Sequence, residues 1–306
     1  MRFEKWQALG NDYLIVEADE LPFELTAARV RKLCAAHLGV FADGVLLLSP
    51  PADPADVADL RIFNPDGSEA ELSGNGAREA ILYLRRRGWT AREEFSIGTP
   101  AGRLRPRITG SDTCTVDMGH ARLSSPDYPG GAADGRGELE VDGRAARFQH
   151  VSIGNPQCSI RLASEEELDA LDLPAIGPGI EADARFPNRT NVSWYVPVAA
   201  GAPAVGPDRG GGDGDGDGVL TIRARIFERG VGETMSSGTG ASGAAVAFAR
   251  ELEDPAWPLR VNVMLDGGEL LVEVAADLGV NLTGWARPVF AGTLSEDFEK
   301  ELHETE

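Results

Sequence analysis

The chain has 306 residues, 42% of them hydrophobic, and a formal net charge of −20 at pH 7. That length bounds it to one large or two ordinary domains, and a surface this acidic repels nucleic acid and anionic lipid, so both are excluded as partners. No run of 18 or more apolar residues occurs, so no membrane span is expected.

The N-terminal Met1-Arg2-Phe3-Glu4-Lys5-Trp6 carries an acid and no apolar h-region, so it reads as a first strand and not as a signal peptide. Cys34, Cys114 and Cys158 lack CxxC spacing and are odd in number. They read as small buried residues of a reduced, cytoplasmic protein, and no metal site is expected. Residues 59–63 alternate apolar and polar side chains, as a half-buried strand does. After Ser73-Gly74-Asn75-Gly76 the period becomes helical through Ala77, Ala80, Ile81 and Leu84. Thr99-Pro100-Ala101-Gly102 marks a turn, and residues 201–218, rich in Gly, Pro and Asp, mark a flexible surface loop. Within it, Asp213-Gly214-Asp215-Gly216-Asp217-Gly218 mimics the start of a calcium loop, but Ala224 stands where an EF-hand needs Glu and no helices flank it. A solvated acidic loop is the expectation. A second strand, 219–227, precedes Ser237-Gly238-Thr239-Gly240 and a helix with Ala241, Ala244, Ala245 and Phe248 on one face. A turn follows at Asp266-Gly267-Gly268, and the last strands, 280–284 and 287–294, are assignable to either half. Lys5, Lys32 and Lys300 are the only lysines, and the acids are spread along the whole chain. This favours adaptation to a salty cytosol over an acidic tail that recruits a basic partner.

The two halves repeat one another. Arg61-Ile62-Phe63 is followed after five residues by Glu69 and then by Ser73-Gly74-Asn75-Gly76-Ala77; Arg225-Ile226-Phe227 is followed after five residues by Glu233 and then by Ser237-Gly238-Thr239-Gly240-Ala241. Upstream, Leu9-Gly10-Asn11 precedes one copy and Ile153-Gly154-Asn155 the other. Matches in the same order argue for a duplicated α/β (α+β) fold of two pseudo-symmetric lobes, each a curved, mostly antiparallel sheet around a central helix. The expected boundaries are 1–118 plus 283–306 for one lobe and 119–282 for the other, with an active-site cleft between them. Glycines between a strand and a helix let backbone N–H groups converge at the positive end of the helix dipole, a place for a small anion such as a carboxylate. Asn11, Asn64, Asn155 and Asn191 are expected around the loops, although one or two of them should serve only their own turns. Glu228-Arg229 stands where the first half has Asn64-Pro65, a divergence that suits the reading of an asymmetric substrate, with Arg on a carboxylate and Glu on an ammonium.

Taken with Ala42-Asp43-Gly44, Asn64-Pro65-Asp66-Gly67-Ser68-Glu69, Gly74-Asn75-Gly76-Ala77-Arg78, Gly154-Asn155-Pro156, Asn188-Arg189-Thr190-Asn191 and Glu228-Arg229-Gly230-Val231-Gly232-Glu233-Thr234, the chain resembles the diaminopimelate epimerase family nearly end to end. The resemblance implies a cofactor-independent (PLP-independent) isomerase of lysine biosynthesis that interconverts LL- and meso-diaminopimelate on two pseudo-symmetric lobes. It implies that Asn11, Gly74, Asn75, Gly238 and Thr239 hold the reacting amino-acid end, and that Asn64, Asn155, Asn191, Glu228 and Arg229 hold the distal one. It implies a small-molecule partner and leaves room for a homodimer. The family carries a cysteine at the positions of Ser73 and Ser237, one on each face of the α-carbon, a histidine at Gln157 and a glycine at Phe41. A serine hydroxyl is no base at neutral pH unless another group takes its proton. The acids near the loops, Asp66, Glu69, Glu79 and Glu233, are the first candidates for that group. Three readings stay open: an epimerase with unusual bases at Ser73 and Ser237, a related racemase or dehydratase of the same fold, and a non-catalytic amino-acid-binding homologue or a chain whose cysteines were replaced. Cys34, Cys114, Cys158 and Gln157 weigh against deliberate replacement.

Overall fold

The chain opens with two short strands, β1 (Arg2–Ala8) and β2 (Asn11–Glu17), joined at Leu9-Gly10. Both linking residues have positive φ, 55° and 84°, the left-handed backbone that lets a two-residue turn follow the twist of its strands. The computed structural model describes residues 1–70, 73–141, 143–198 and 218–305. Apart from Gly218, the acidic loop expected at 201–218, with its Asp-Gly repeat, lies outside the described residues.

Continuing in chain order come α1 (Ala27–Cys34), β3 (Val45–Ser49), β4 (Asp59–Phe63), β5 (Glu69–Ala70), α2 (Gly74–Arg86), β6 (Ile97–Thr99), β7 (Gly102–Leu104), β8 (Pro106–Ile108) and β9 (Thr113–His120). Next are β10 (Arg136–Val141), β11 (Arg144–Ser152), β12 (Pro156–Arg161), α3 (Glu165–Asp169), α4 (Leu173–Glu181), β13 (Asn191–Val198), β14 (Val219–Glu228), β15 (Gly232–Thr234) and α5 (Gly238–Ala249). The chain ends with β16 (Leu259–Leu265), β17 (Gly268–Val274), β18 (Gly279–Trp285), β19 (Arg287–Thr293) and α6 (Glu296–His303). Two units result: Met1–Val116 with Gly284–Glu306, and Asp117–Thr283.

In the first unit the strands follow the order β19-β1-β2-β3-β4-β6-β7. The pairs β1–β2 and β3–β4 are antiparallel, β2–β3 is parallel, and β4 pairs antiparallel with β5 and parallel with β6. The second unit repeats this succession one for one from β11 to β16. The duplication written in the sequence is therefore a duplication of strand pairing. Its last strand, β19, belongs to the first unit, where it pairs antiparallel with β1.

Each unit has its own core. Leu14, Val16, Val30, Leu33, Val45 and Phe63 anchor the first; Phe148, Ile160, Phe186, Val192, Trp194 and Phe227 anchor the second. Helix α2 packs on β1, β2 and β3, and α5 on β11, β12, β13 and β17. Neither helix has a solvent face of the ordinary kind. All of Gly74–Leu84 is buried, the charged Arg78 and Glu79 included, so the apolar stripe Ala77, Ala80, Ile81 and Leu84 is only part of the covered surface. The three cysteines are free and buried, and burial pushes the thiols of Cys34 and Cys114 up to about 12. Among the described residues no helix is long and apolar enough to cross a membrane.

Candidate functional site

Each Ser-Gly-x-Gly segment starts the central helix of its unit. Ser73 (φ −128°, ψ 123°) caps α2 and Ser237 (φ −145°, ψ 125°) caps α5. The caps are alike in detail: Ser73 Oγ accepts from the Gly76 N–H at 3.1 Å, and Ser237 Oγ from the Gly240 N–H at 3.2 Å. The second glycine of each loop lies close against a side chain of its own sheet. A Cβ on Gly76 would lie 3.0 Å from Leu46 Cδ2, and one on Gly240 would lie 2.7 Å from Ile226 Cδ1. The paired Arg and Glu of the repeat also have one structural meaning. They bridge the strand to the short strand that follows, Arg61 to Glu69 at 2.8 Å and Arg225 to Glu233 at 2.6 Å. Among the described residues the N–H groups of Gly74, Gly238 and Thr239 donate to nothing, which leaves them as anion donors at the helix starts.

In the first unit the loop is held from three sides. Tyr13 donates its hydroxyl to Ser73 Oγ at 3.3 Å. Asn75 Nδ2 donates to Asn11 Oδ1 at 3.3 Å, and Asn11 Nδ2 donates to Asp43 Oδ2 at 2.7 Å. Beneath the loop the buried Arg78 guanidinium donates to the Gly74 carbonyl at 3.0 Å and to Asn75 Oδ1 at 2.7 Å. Burial lowers Arg78 to about 10. Asn64 stands apart from this set. It closes its own turn, donating from Nδ2 to Ser68 Oγ at 3.0 Å and from its backbone N–H to the Ser68 carbonyl at 2.8 Å.

In the second unit the candidate residues form one connected chain. Gln157, fully buried, donates to Asn155 Oδ1 at 2.6 Å; Asn155 donates to Thr239 Oγ1 at 3.3 Å; Thr239 Oγ1 lies 3.5 Å from Ser237 Oγ. Ser237 in turn donates to Glu228 Oε2 at 2.8 Å, and Thr234 donates to Glu228 Oε1 at 2.8 Å. Burial raises the Glu228 carboxyl above the usual carboxylate range, against the lowering effect of these two hydroxyls. Asn191 donates to the Pro156 carbonyl at 2.9 Å and accepts the Arg229 N–H at 2.9 Å. Among the described residues the Arg229 guanidinium makes one bond, Nη1 to the Asn188 carbonyl at 2.9 Å, which leaves the rest of its fork for an anion.

The acids expected to stand behind the serines do not. Glu69 and Glu233 are engaged by Arg61 and Arg225, Asp66 accepts from Ser68 at 2.6 Å, and Glu79 is buried inside α2. Among the described residues the carboxylate that meets a loop serine is Glu228, a residue the resemblance places at the distal substrate end. Tyr13 and Asp43 join the first-unit set without any motif of their own, although Tyr13 sits two residues after Asn11 on β2 and so shares its face. No cluster of His, Cys, Asp and Glu with metal-holding geometry occurs among the described residues.

The family model described as diaminopimelate epimerase matches residues 3–124 and 149–287. The chain is 38% identical over 304 residues to the diaminopimelate epimerase of Synechococcus sp. (strain JA-3-3Ab), covering 97% of this chain and 99% of that one. It is 39% identical over 301 residues to that of Desulforudis audaxviator (strain MP104C), covering 95% and 98%. Among solved structures, a phenazine biosynthesis protein of the PhzF family from Bacillus anthracis superposes with a TM-score of 0.67 at 18% identity, covering 96% of this chain and 99% of that one. A probable proline racemase from Agrobacterium radiobacter K84 superposes with a TM-score of 0.61 at 14% identity, covering 97% and 93%. At such identities the two structures share the fold.

Proposed function

The chain belongs to the diaminopimelate epimerase family, and from that premise we propose that it interconverts LL- and meso-2,6-diaminopimelate by proton transfer at the α-carbon, with Ser73 and Ser237 at the positions of the two acid/base groups. The observation that carries this reading is a set of hydrogen-bonded polar residues in each unit: Asn11 with Asn75 in one, Asn155 with Thr239 and Asn191 with Arg229 in the other. A diamino dicarboxylic acid presents two carboxylates and two ammonium groups. The unpaired N–H groups at the helix starts and the open fork of Arg229 suit the carboxylates, while the amide oxygens and Glu228 suit the ammonium groups. Inversion requires a proton removed from one face of the α-carbon and one delivered to the other. Serine in place of thiol predicts slow turnover, because loss of a positioned base costs about 10²–10⁴ in rate. The chemistry is expected to run in a salt-rich cytosol without PLP, and a homodimer is part of the proposal.

The test is calorimetry with diaminopimelate and with proline in molar salt, followed by α-proton exchange in D₂O. Tighter binding of diaminopimelate is expected. The double variant Ser73→Cys, Ser237→Cys should exchange and epimerise faster than the wild type, and either single variant should gain little. Proline bound as tightly as diaminopimelate would remove the reading.

A further inference from the structure

We propose that Glu181, the last residue of α4, is the positioning residue for Arg229 and so sets the preference for a ligand with a second carboxylate. This rests on the reading of Arg229 as the holder of the distal substrate end. Glu181 is an unexpected residue for its place. A carboxylate at the C-terminal end of a helix opposes the helix dipole, and this residue is only 8% exposed. Its contacts account for it. Oε1 accepts the Gly230 N–H at 2.9 Å and Arg189 Nη1 at 2.9 Å, and the Glu181 carbonyl accepts the Thr190 N–H at 3.1 Å. One residue therefore ties the turn that carries Arg229 to residues 188–191.

Both ends of that segment meet Arg229. The Asn188 carbonyl accepts Nη1 at 2.9 Å, and Asn191 Oδ1 accepts the Arg229 N–H at 2.9 Å. Between them Arg189 has φ 60°, a left-handed backbone that a residue other than glycine keeps only where its surroundings hold it. Here the Arg189 N–H donates to the Phe186 carbonyl at 2.8 Å and its guanidinium to Glu181. Arg189 is 56% exposed, so as an ion pair it contributes little; the bond that bears on Arg229 is the one to Gly230. The duplication supplies an internal control. The turns at Asn64 and Glu228 close alike, with Gly67 N–H on the Asn64 carbonyl at 2.9 Å and Val231 N–H on the Glu228 carbonyl at 3.1 Å. Only the second turn carries an arginine, next to the N–H that Glu181 takes. A guanidinium recognises a carboxylate through a planar fork, so a turn free to rotate loses the two-bond geometry. With the backbone held at Arg229 and Gly230 and one nitrogen held at Asn188, the remaining N–H groups keep one direction.

The experiment compares diaminopimelate with lysine, the same skeleton without one carboxylate, by calorimetry. Glu181→Met keeps the volume and removes the acceptor. It should weaken diaminopimelate binding by about 10-fold and lysine binding by less than about twofold. Glu181→Gln, whose amide oxygen still accepts the Gly230 N–H, should stay within about threefold of the wild type for both ligands. In an Arg229→Lys background, Glu181→Met should change diaminopimelate affinity by less than about twofold. Equal losses for the two ligands, or the same loss in both backgrounds, would overturn the proposal and leave Glu181 a support of the fold alone. Should Glu181→Met not fold, Glu181→Ala carries the same expectations. A ligand-free arm stands apart from the function. The Arg229 Nε–H signal, identified in NMR by its loss in Arg229→Lys, should be restricted on the ps–ns timescale in the wild type and mobile in Glu181→Met. Equal mobility in the two proteins would overturn the positioning role. If the wild type binds no diaminopimelate, the substrate reading fails, and Glu181 stands or falls on that signal.

Discussion

Placing a thiol at each serine position in turn separates the two loops by a quantity that can be worked from their neighbours. In Ser73→Cys the sulfur would face the Tyr13 hydroxyl and the Gly76 N–H, both donors. A hydrogen bond to a charged group contributes roughly 1.5–3 kcal/mol, so the added Tyr13 donor lowers the thiol by about 1–2 pKa units. In Ser237→Cys the sulfur would keep the Gly240 N–H but face the Glu228 carboxyl, 2.8 Å from the present oxygen. Two unit charges about 4 Å apart at an effective dielectric of about 20 repel by roughly 4 kcal/mol, and sharing one proton between thiol and carboxyl reduces but does not remove this. The helix dipole acts on both positions alike. The inflection in a pH series of iodoacetamide alkylation should therefore lie at least ~2 units lower for Ser73→Cys than for Ser237→Cys. The deeper burial of position 237 also raises its thiol by desolvation, in the same direction as the carboxyl. Cys34, Cys114 and Cys158, buried with raised pKa values, stay silent in this range. Inflections within half a unit, or in the opposite order, would refute the contact of Glu228 with the second loop and with it the inequivalence of the two.

Three other outcomes are expected. Arg229→Lys should weaken diaminopimelate binding by about 10- to 100-fold in calorimetry, since an ammonium cannot reproduce a bidentate fork, while the melting temperature barely moves because the guanidinium makes one exposed bond among the described residues. Glu79 is fully buried with its carboxyl raised well above the usual value by that burial. The folded state holds its proton where the unfolded chain has released it, so this group favours folding below about pH 4.5 and loses that contribution as pH rises toward its folded pKa, by up to about 1.4 kcal/mol per unit. Glu79→Gln should flatten the fall of chemical-denaturation stability above pH 5; an unchanged slope would show that the carboxyl reaches water. With a net charge of −20, raising KCl from millimolar to molar should raise the melting temperature, and a salt-independent value would contradict self-repulsion as a load on the fold.

The sequence by itself determined the duplication, the mixed α and β class and the family, because all three rest on local rules. The spacing from Arg61 to Ser73 equals that from Arg225 to Ser237, and a strand, a turn and a helix cap of fixed length are each specified by residues a few positions apart. Burial within the central helices was only partly legible. Ala77, Ala80, Ile81 and Leu84 announce a covered face, but Arg78 and Glu79 read as solvent positions until β1, β2 and β3 close over them. The partners of the serines were decided by tertiary structure alone. Glu228 precedes Ser237 by nine residues, and nothing in that interval fixes its direction until β15 folds back on β14 with Gly232 opposite Glu228, bringing the carboxyl to the hydroxyl. Tyr13 reaches Ser73 across sixty residues because β2 runs beside α2. Residue type and spacing encode the backbone; which hydroxyl meets which acid depends on where the sheet turns, a property of the folded chain that no single stretch of sequence holds.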